Sequence, residues 1–222
     1  MVAKDLISEV VPSLKTSDTG QKALNWMEVF RVSHLPIVNN RDFLGLISDI
    51  DIYDLNEPDQ PIGNHELSLI KPFVNLDQHI FEVINVASKM KLSLVPVLDE
   101  EKQYKGVIMV SELIERIAEM SSLKEPGGII VINILQNDYS LSQIAQIIES
   151  NNARVLNLYI SSPPDSTTME VTVKVSTNNL MPIIKTFERF SYEITTFQGD
   201  DDEMDRFYSD RYDSLMRYLD IQ

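Results

Sequence analysis

The chain of 222 residues contains no cysteine, which excludes a disulfide framework, an iron–sulfur cluster and a thiolate nucleophile. Histidine is scarce too, and His34, His65 and His79 stand at no spacing that suits a metal site. Basic residues number 19 against 34 acidic ones, for a formal net charge of −15. A surface that negative repels phosphate backbones, which counts against DNA or RNA as a partner. A phosphorylated ligand would need a local cationic patch. No apolar run approaches the roughly 20 residues that a membrane span needs. The start, Met1-Val2-Ala3-Lys4-Asp5, leads straight into a structured pattern and does not resemble a signal peptide. The expectation is a cytoplasmic protein that binds neither nucleic acid nor membrane. With 43% apolar residues, seven glycines and ten prolines, the chain is not of low complexity and can build the core of one large or two small domains.

What is present is a repeat. Pro12 and Pro72, Arg31 and Lys91, Ser33 and Ser93, and Pro36 and Pro96 are each 60 residues apart, and Gly45 and Gly106 are 61 apart. Between these anchors the same order recurs: a proline-marked turn, an amphipathic helix, a short apolar strand, a polar turn and a Gly-led strand. In the first copy the spacing predicts a helix over 21–30, strands over 35–38 and 43–47, and a helix from Asp49 to Leu55. Thr16, Ser17, Asp18 and Thr19 supply N-cap candidates. The second copy predicts a helix over 80–90, strands over 95–98 and 104–109, and a helix over 111–120. Residues 56–65 read as a linker inside the module. Two copies of one unit pack on each other, and the cleft between them is where a small ligand would bind.

After Lys124-Glu125-Pro126-Gly127-Gly128 the rhythm changes. Strands are predicted over 129–135, 155–161, 169–175 and 192–197, with helices over 141–149 and 180–190, the latter opening with Pro182 in its first turn. The order βαββαβ points to a ferredoxin-like sandwich. Residues 200–222 start with Asp200-Asp201-Asp202-Glu203 and carry apolar residues at helical spacing, an acidic amphipathic helix with a packing stripe. The fold class is α+β, with a repeat pair over 1–122 (about 1–60 and 61–122), a hinge at 123–128, a ferredoxin-like domain over 129–199 and the terminal helix.

Gly45-Leu46-Ile47-Ser48-Asp49-Ile50-Asp51 is the sharpest motif. Glycine permits close backbone approach, Ser48 has a hydroxyl and an N–H to offer an anion, and Asp51 is placed to accept from a diol such as ribose. The same pattern is also an ordinary strand–helix junction with Ser48 or Asp49 as N-cap. Arg31 and Lys91, matched cations before each central strand, could neutralise a phosphate or simply suit a helix C-terminus. His34 could stack on a base, or be a half-buried strand histidine.

The repeat, with Leu35-Pro36-Ile37-Val38 and Gly45-Leu46-Ile47-Ser48-x-x-Asp51, resembles a CBS domain, and the tandem resembles a Bateman module over residues 1 to about 122. The resemblance implies an adenosyl ligand such as AMP, ADP, ATP or S-adenosylmethionine, with Ser48 on phosphate, Asp51 on ribose and Thr16 as a further contact. In the second copy Met109 and Glu112 stand at the hydroxyl and ribose positions, so at most one well-formed site is expected. Residues 128–198 resemble an ACT domain, which implies an amino-acid ligand at Asp138, although Tyr139 and Ser140 stand where the family has glycine. The domain order resembles the acetoin-utilisation CBS–ACT proteins. Tandem CBS modules tend to pair into discs and ACT-like domains to dimerise, so a homodimer is implied.

No catalytic constellation or P-loop is found, and no enzyme activity or obligatory cofactor is expected. The leading expectation is a ligand sensor that relays the occupancy of an adenosyl site to the ACT-like domain or a protein target, with Gly127-Gly128 as the hinge. The alternatives are an unliganded interaction scaffold and an amino-acid sensor.

Overall fold

Thr19 opens the first helix by accepting the Lys22 N–H at 3.2 Å, and α1 runs Gly20–Phe30 with Ala23 and Met27 buried one turn apart. Arg31 ends it in the left-handed conformation (φ 53°), its N–H turned back to the Met27 and Glu28 carbonyls. An antiparallel hairpin follows, β1 (His34–Asn39) and β2 (Asp42–Ser48), then the five-residue α2 (Asp49–Tyr53). The second repeat copies this plan with β3 (Val74–Asn75), α3 (Ile80–Met90), a left-handed Lys91 (φ 53°), β4 (Leu94–Leu98), β5 (Tyr104–Met109) and α4 (Val110–Met120). The structure, a computed structural model, describes residues 1–55, 57–65, 69–164, 166–199 and 216. It divides into two compact units, 1–117 and 118–222. Apart from Met216, the terminal helix expected over 200–222 lies outside the described residues.

In the first unit, the segment leading into each repeat docks on the other repeat. Ser8 donates its N–H to Val107 O at 2.8 Å, and Leu46 donates its N–H to Ile70 O at 2.8 Å. This crossing explains the two matched glycines, which have φ of 150° (Gly45) and 146° (Gly106). A Cβ on Gly45 would lie 2.6 Å from Leu69 Cβ and 2.8 Å from the Ile70 oxygen, and one on Gly106 would lie 2.5 Å from Ile7 Cγ2. Close approach is needed, as the sequence suggests, but what approaches is the protein's own leading segment, Ile7 at Gly106 and Leu69 and Ile70 at Gly45. One apolar core runs through both copies, with Leu35, Ile47, Leu94 and Ile108 fully buried. The inter-repeat linker is docked as well: Ile62 is fully buried, its N–H donates to Asp18 O at 2.8 Å, and Gly63 N–H donates to Thr16 O at 2.8 Å.

The second unit is a four-stranded antiparallel sheet in the order β7-β8-β6-β9, built from β6 (Ile129–Leu135), β7 (Val155–Ser161), β8 (Thr168–Val175) and β9 (Glu193–Gln198). Helices α5 (Leu141–Ser150) and α6 (Met181–Arg189) share its core. This is the ferredoxin-like order. Ile130, Ile132, Val171 and Val173 alternate inward onto Ile144, Ile148, Ile184 and Phe187. Ser140 caps α5 through the Gln143 N–H, and Pro182 sits in the first turn of α6. The glycines expected to act as a hinge are pinned to this unit. Gly128 exchanges backbone hydrogen bonds with Thr177 (2.8 Å) and Val175 (2.9 Å), and a Cβ on Gly127 would run into the Val175 carbonyl.

Candidate functional site

Ser48 and Asp51 hold each other. Asp51 Oδ2 accepts the Ser48 N–H at 2.8 Å and the Ser48 hydroxyl at 2.7 Å, while Asp51 N–H donates to Ser48 Oγ at 3.1 Å. This is a reciprocal capping box over the first turn of α2. The Ser48 N–H, read from the sequence as available to an anion, is therefore taken. Asp51 Oδ1 takes no part in the box, and Asp51 is exposed.

His34 stands directly opposite Ser48 in the β1–β2 ladder. It is half-buried, and its Nδ1 lies 3.1 Å from the Ser33 hydroxyl, 3.1 Å from the Ser93 hydroxyl and 3.4 Å from the Ser93 nitrogen. Ser33 N–H in turn donates to Ser93 Oγ at 3.1 Å. The Ser93 N–H suits Nδ1 as an acceptor, so the ring is neutral with its proton on Nε2. Burial holds the imidazole below its usual pKa, against the opposing pull of Asp49 and Asp51. His34 thus links the Ser48–Asp51 corner of repeat one to repeat two.

An open groove of about 710 Å³ adjoins this corner, and its lining includes Arg31, Ser33, Asp49, Tyr53 and Ser93. Among the described residues, Arg31 is the only cation in its lining. Both Arg31 and Lys91 are exposed residues at left-handed helix ends, the second of the two roles that their positions suggest, and Lys91 does not line the groove. Thr16 is placed elsewhere. It exchanges hydrogen bonds with the Asn39 side chain (3.2–3.3 Å), at the end of the hairpin away from Ser48, and the β1 strand between spans roughly 17 Å. The structure therefore gathers Ser48, Asp51 and His34, sets Arg31 beside them and leaves out Thr16 and Lys91. Ser33 and Ser93 are the members that motif reading missed; their constant 60-residue offset was the available signal.

In repeat two Met109 stands in place of the serine, with its sulfur 3.9 Å from the Ser8 hydroxyl, so the Ser–Asp pair of repeat one has no counterpart there. In the second unit, Asp138 lines a separate cavity of about 420 Å³ with Asn133, Gln143, Phe190, Tyr192 and Glu193. Tyr192 donates its hydroxyl proton to Gln143 at 2.8 Å, and burial, with the Asp138 charge, pushes its pKa up. Among the described residues, the lining of this cavity holds two carboxylates and no cation, a poor match for the carboxylate of an amino acid. Among the described residues no three His, Asp or Glu are placed to hold a metal ion, and no helix is long and apolar enough to cross a membrane.

Residues 3–56 and 69–119 each match the CBS domain family. The first unit is a tandem pair of CBS domains. A similar curated protein is inosine-5′-monophosphate dehydrogenase of Methanocaldococcus jannaschii, 20% identical over 151 residues, which are 67% of this chain and 30% of that enzyme. The match thus spans about a third of that relative's length. Among solved structures, a CBS domain pair/ACT domain protein of Thermotoga maritima is 23% identical, covering 54% of this chain and 98% of that one, with a TM-score of 0.48. The CBS domain of a bacterial CNNM/CorC family Mg2+ transporter, solved with ATP, is 15% identical, covering 53% and 87%, with a TM-score of 0.43.

Proposed function

We propose that the CBS pair is a regulatory module that binds an adenosyl ligand at the Ser48–Asp51–His34 corner. The observation that carries this reading is His34: it stands opposite Ser48 and accepts from Ser93 of the other repeat, so a ligand at this corner meets both repeats. In this reading the ribose hydroxyls donate to the free Asp51 Oδ1, and the Ser48 hydroxyl turns from Asp51 to a phosphate oxygen. Asp49 and Asp51 against the single cation Arg31 disfavour a triphosphate and favour AMP or S-adenosylmethionine. Binding moves the repeat junction only by as much as the ligand prefers one arrangement over another.

The capping box favours a second reading, an unliganded scaffold, because Ser48 and Asp51 already satisfy each other. Thermal unfolding of the full chain separates the two. A ligand at about 100 times its dissociation constant adds roughly 2.7 kcal/mol of stability. The sensor reading requires that AMP or S-adenosylmethionine raise the midpoint of the wild type and not that of Asp51→Ala. No shift with any adenosyl compound leaves the scaffold.

A further inference from the structure

A further hollow in the first unit lies between α3 and the segment that leads into β3, with a volume of about 590 Å³. It shares no lining residue with the groove beside Arg31. Phe73, Val86 and Met90 make its apolar side, while Lys71, Lys89 and Asn85 bring two ammoniums and an amide to it. Lys102 sets a third ammonium over the Phe73 ring, 4.6 Å from its centroid, and donates to Asn75 at 3.2 Å. Among the described residues no carboxylate lines the hollow, and none forms an ion pair with Lys71 or Lys89. In a chain with 34 acidic residues against 19 basic ones, unpaired cations facing one hollow run against the overall charge.

The fold does not require these cations. Repeat one builds the same helix with Val29 at the position of Lys89, and the same lead-in with Val11 at the position of Lys71. Trp26 of repeat one gives way to the much smaller Val86, which opens space beside the helix. Repeat two has thus gained charge and lost bulk at one place.

We infer that this hollow binds a small organic carboxylate with an apolar body, an alkyl or aryl monocarboxylate. Two ammoniums and an amide N–H are donors enough for the two oxygens of one carboxylate. Phe73, Val86 and Met90 take its hydrocarbon, so the site has the mixed lining that small-ligand pockets show. The net charge of −15 selects against more highly charged anions such as phosphate esters or acidic peptides, since each added negative charge on the ligand adds repulsion. The inference does not rest on adenosyl binding at the Ser48–Asp51–His34 corner.

Calorimetric titration of the full chain with phenylacetate, hexanoate, phenethylamine and inorganic phosphate tests it. The two carboxylates should bind saturably in the millimolar range, and the amine and phosphate should not. Lys71→Gln/Lys89→Gln should bind phenylacetate about 10-fold more weakly, the combined effect of two exposed ion pairs. Lys185→Gln, the same change of charge at an exposed position on α6, should bind as the wild type does. Both exposed lysines can be replaced without cost to the fold, so the double variant should melt at the wild-type temperature. Failure of both carboxylates to bind the wild type, equal binding of phenethylamine or of phosphate, or equal weakening by Lys185→Gln would overturn the assignment. So would unchanged binding by the double variant.

Discussion

Ser33 and Ser93 hold the same position in the two repeats, and they touch: the Ser33 N–H donates to Ser93 Oγ at 3.1 Å. Phe43 and Tyr104, also matched, stack with centroids 6.4 Å apart and rings inclined at 18°. Residues related by a two-fold can meet only at its axis, so these contacts mark where the axis of the CBS pair passes. His34 breaks the symmetry, because repeat two has Leu94 in its place. Ser93→Ala removes the acceptor of Ser33 N–H and a hydroxyl partner of His34, and should cost about 1 kcal/mol in urea unfolding. Ser33→Ala should cost less, since its hydroxyl meets only His34.

His34 also sets a pH dependence. Its folded pKa lies below the usual 6.5, so below about pH 6.5 the unfolded chain binds more protons than the folded one. Stability from this group is therefore complete above that pH and is lost as pH falls towards the folded value. Between pH 7.5 and 5.5 the melting temperature of the wild type should fall more than that of His34→Gln. Parallel curves would show that the ring is not held neutral.

Gly45→Ala should destabilise the fold by roughly 1–3 kcal/mol, because the new methyl meets the Leu69 side chain and the Ile70 carbonyl at a φ of 150°. Chemical denaturation reads this directly. An unchanged midpoint would mean that the leading segment does not cross there.

Lys91→Gly should stabilise the chain by about 1 kcal/mol, since lysine at φ 53° carries a left-handed strain that glycine does not. Arg31→Gly should give the same gain. If Arg31 also serves the ligand, that variant alone should bind AMP more weakly while being more stable.

Much of the fold is legible in the sequence because burial follows chain periodicity. The helix over 80–90 and the strands over 104–109, 129–135 and 155–161 are found at the expected bounds. The capping box is legible as Ser48-x-x-Asp51, one of the two roles open to that motif. The two-residue β3 is too short to show a period, and the pairings of Ser8 with Val107 and Ile70 with Leu46 join segments whose patterns carry no mark of each other. That is why Gly45 reads as a ligand contact when its neighbour is Ile70. Thr16 sits near the motif in the chain but at the far end of the hairpin in space, a separation set by strand direction.

Calorimetric titration of the full chain with AMP and S-adenosylmethionine reads directly whether an adenosyl ligand binds at the Ser48–Asp51–His34 corner. The wild type should bind saturably, and Asp51→Asn, whose amide oxygen can still accept the Ser48 N–H, should lose that binding. Absence of binding by the wild type at millimolar AMP, ADP, ATP and S-adenosylmethionine would contradict an adenosyl site there, as would binding that Asp51→Asn leaves unchanged.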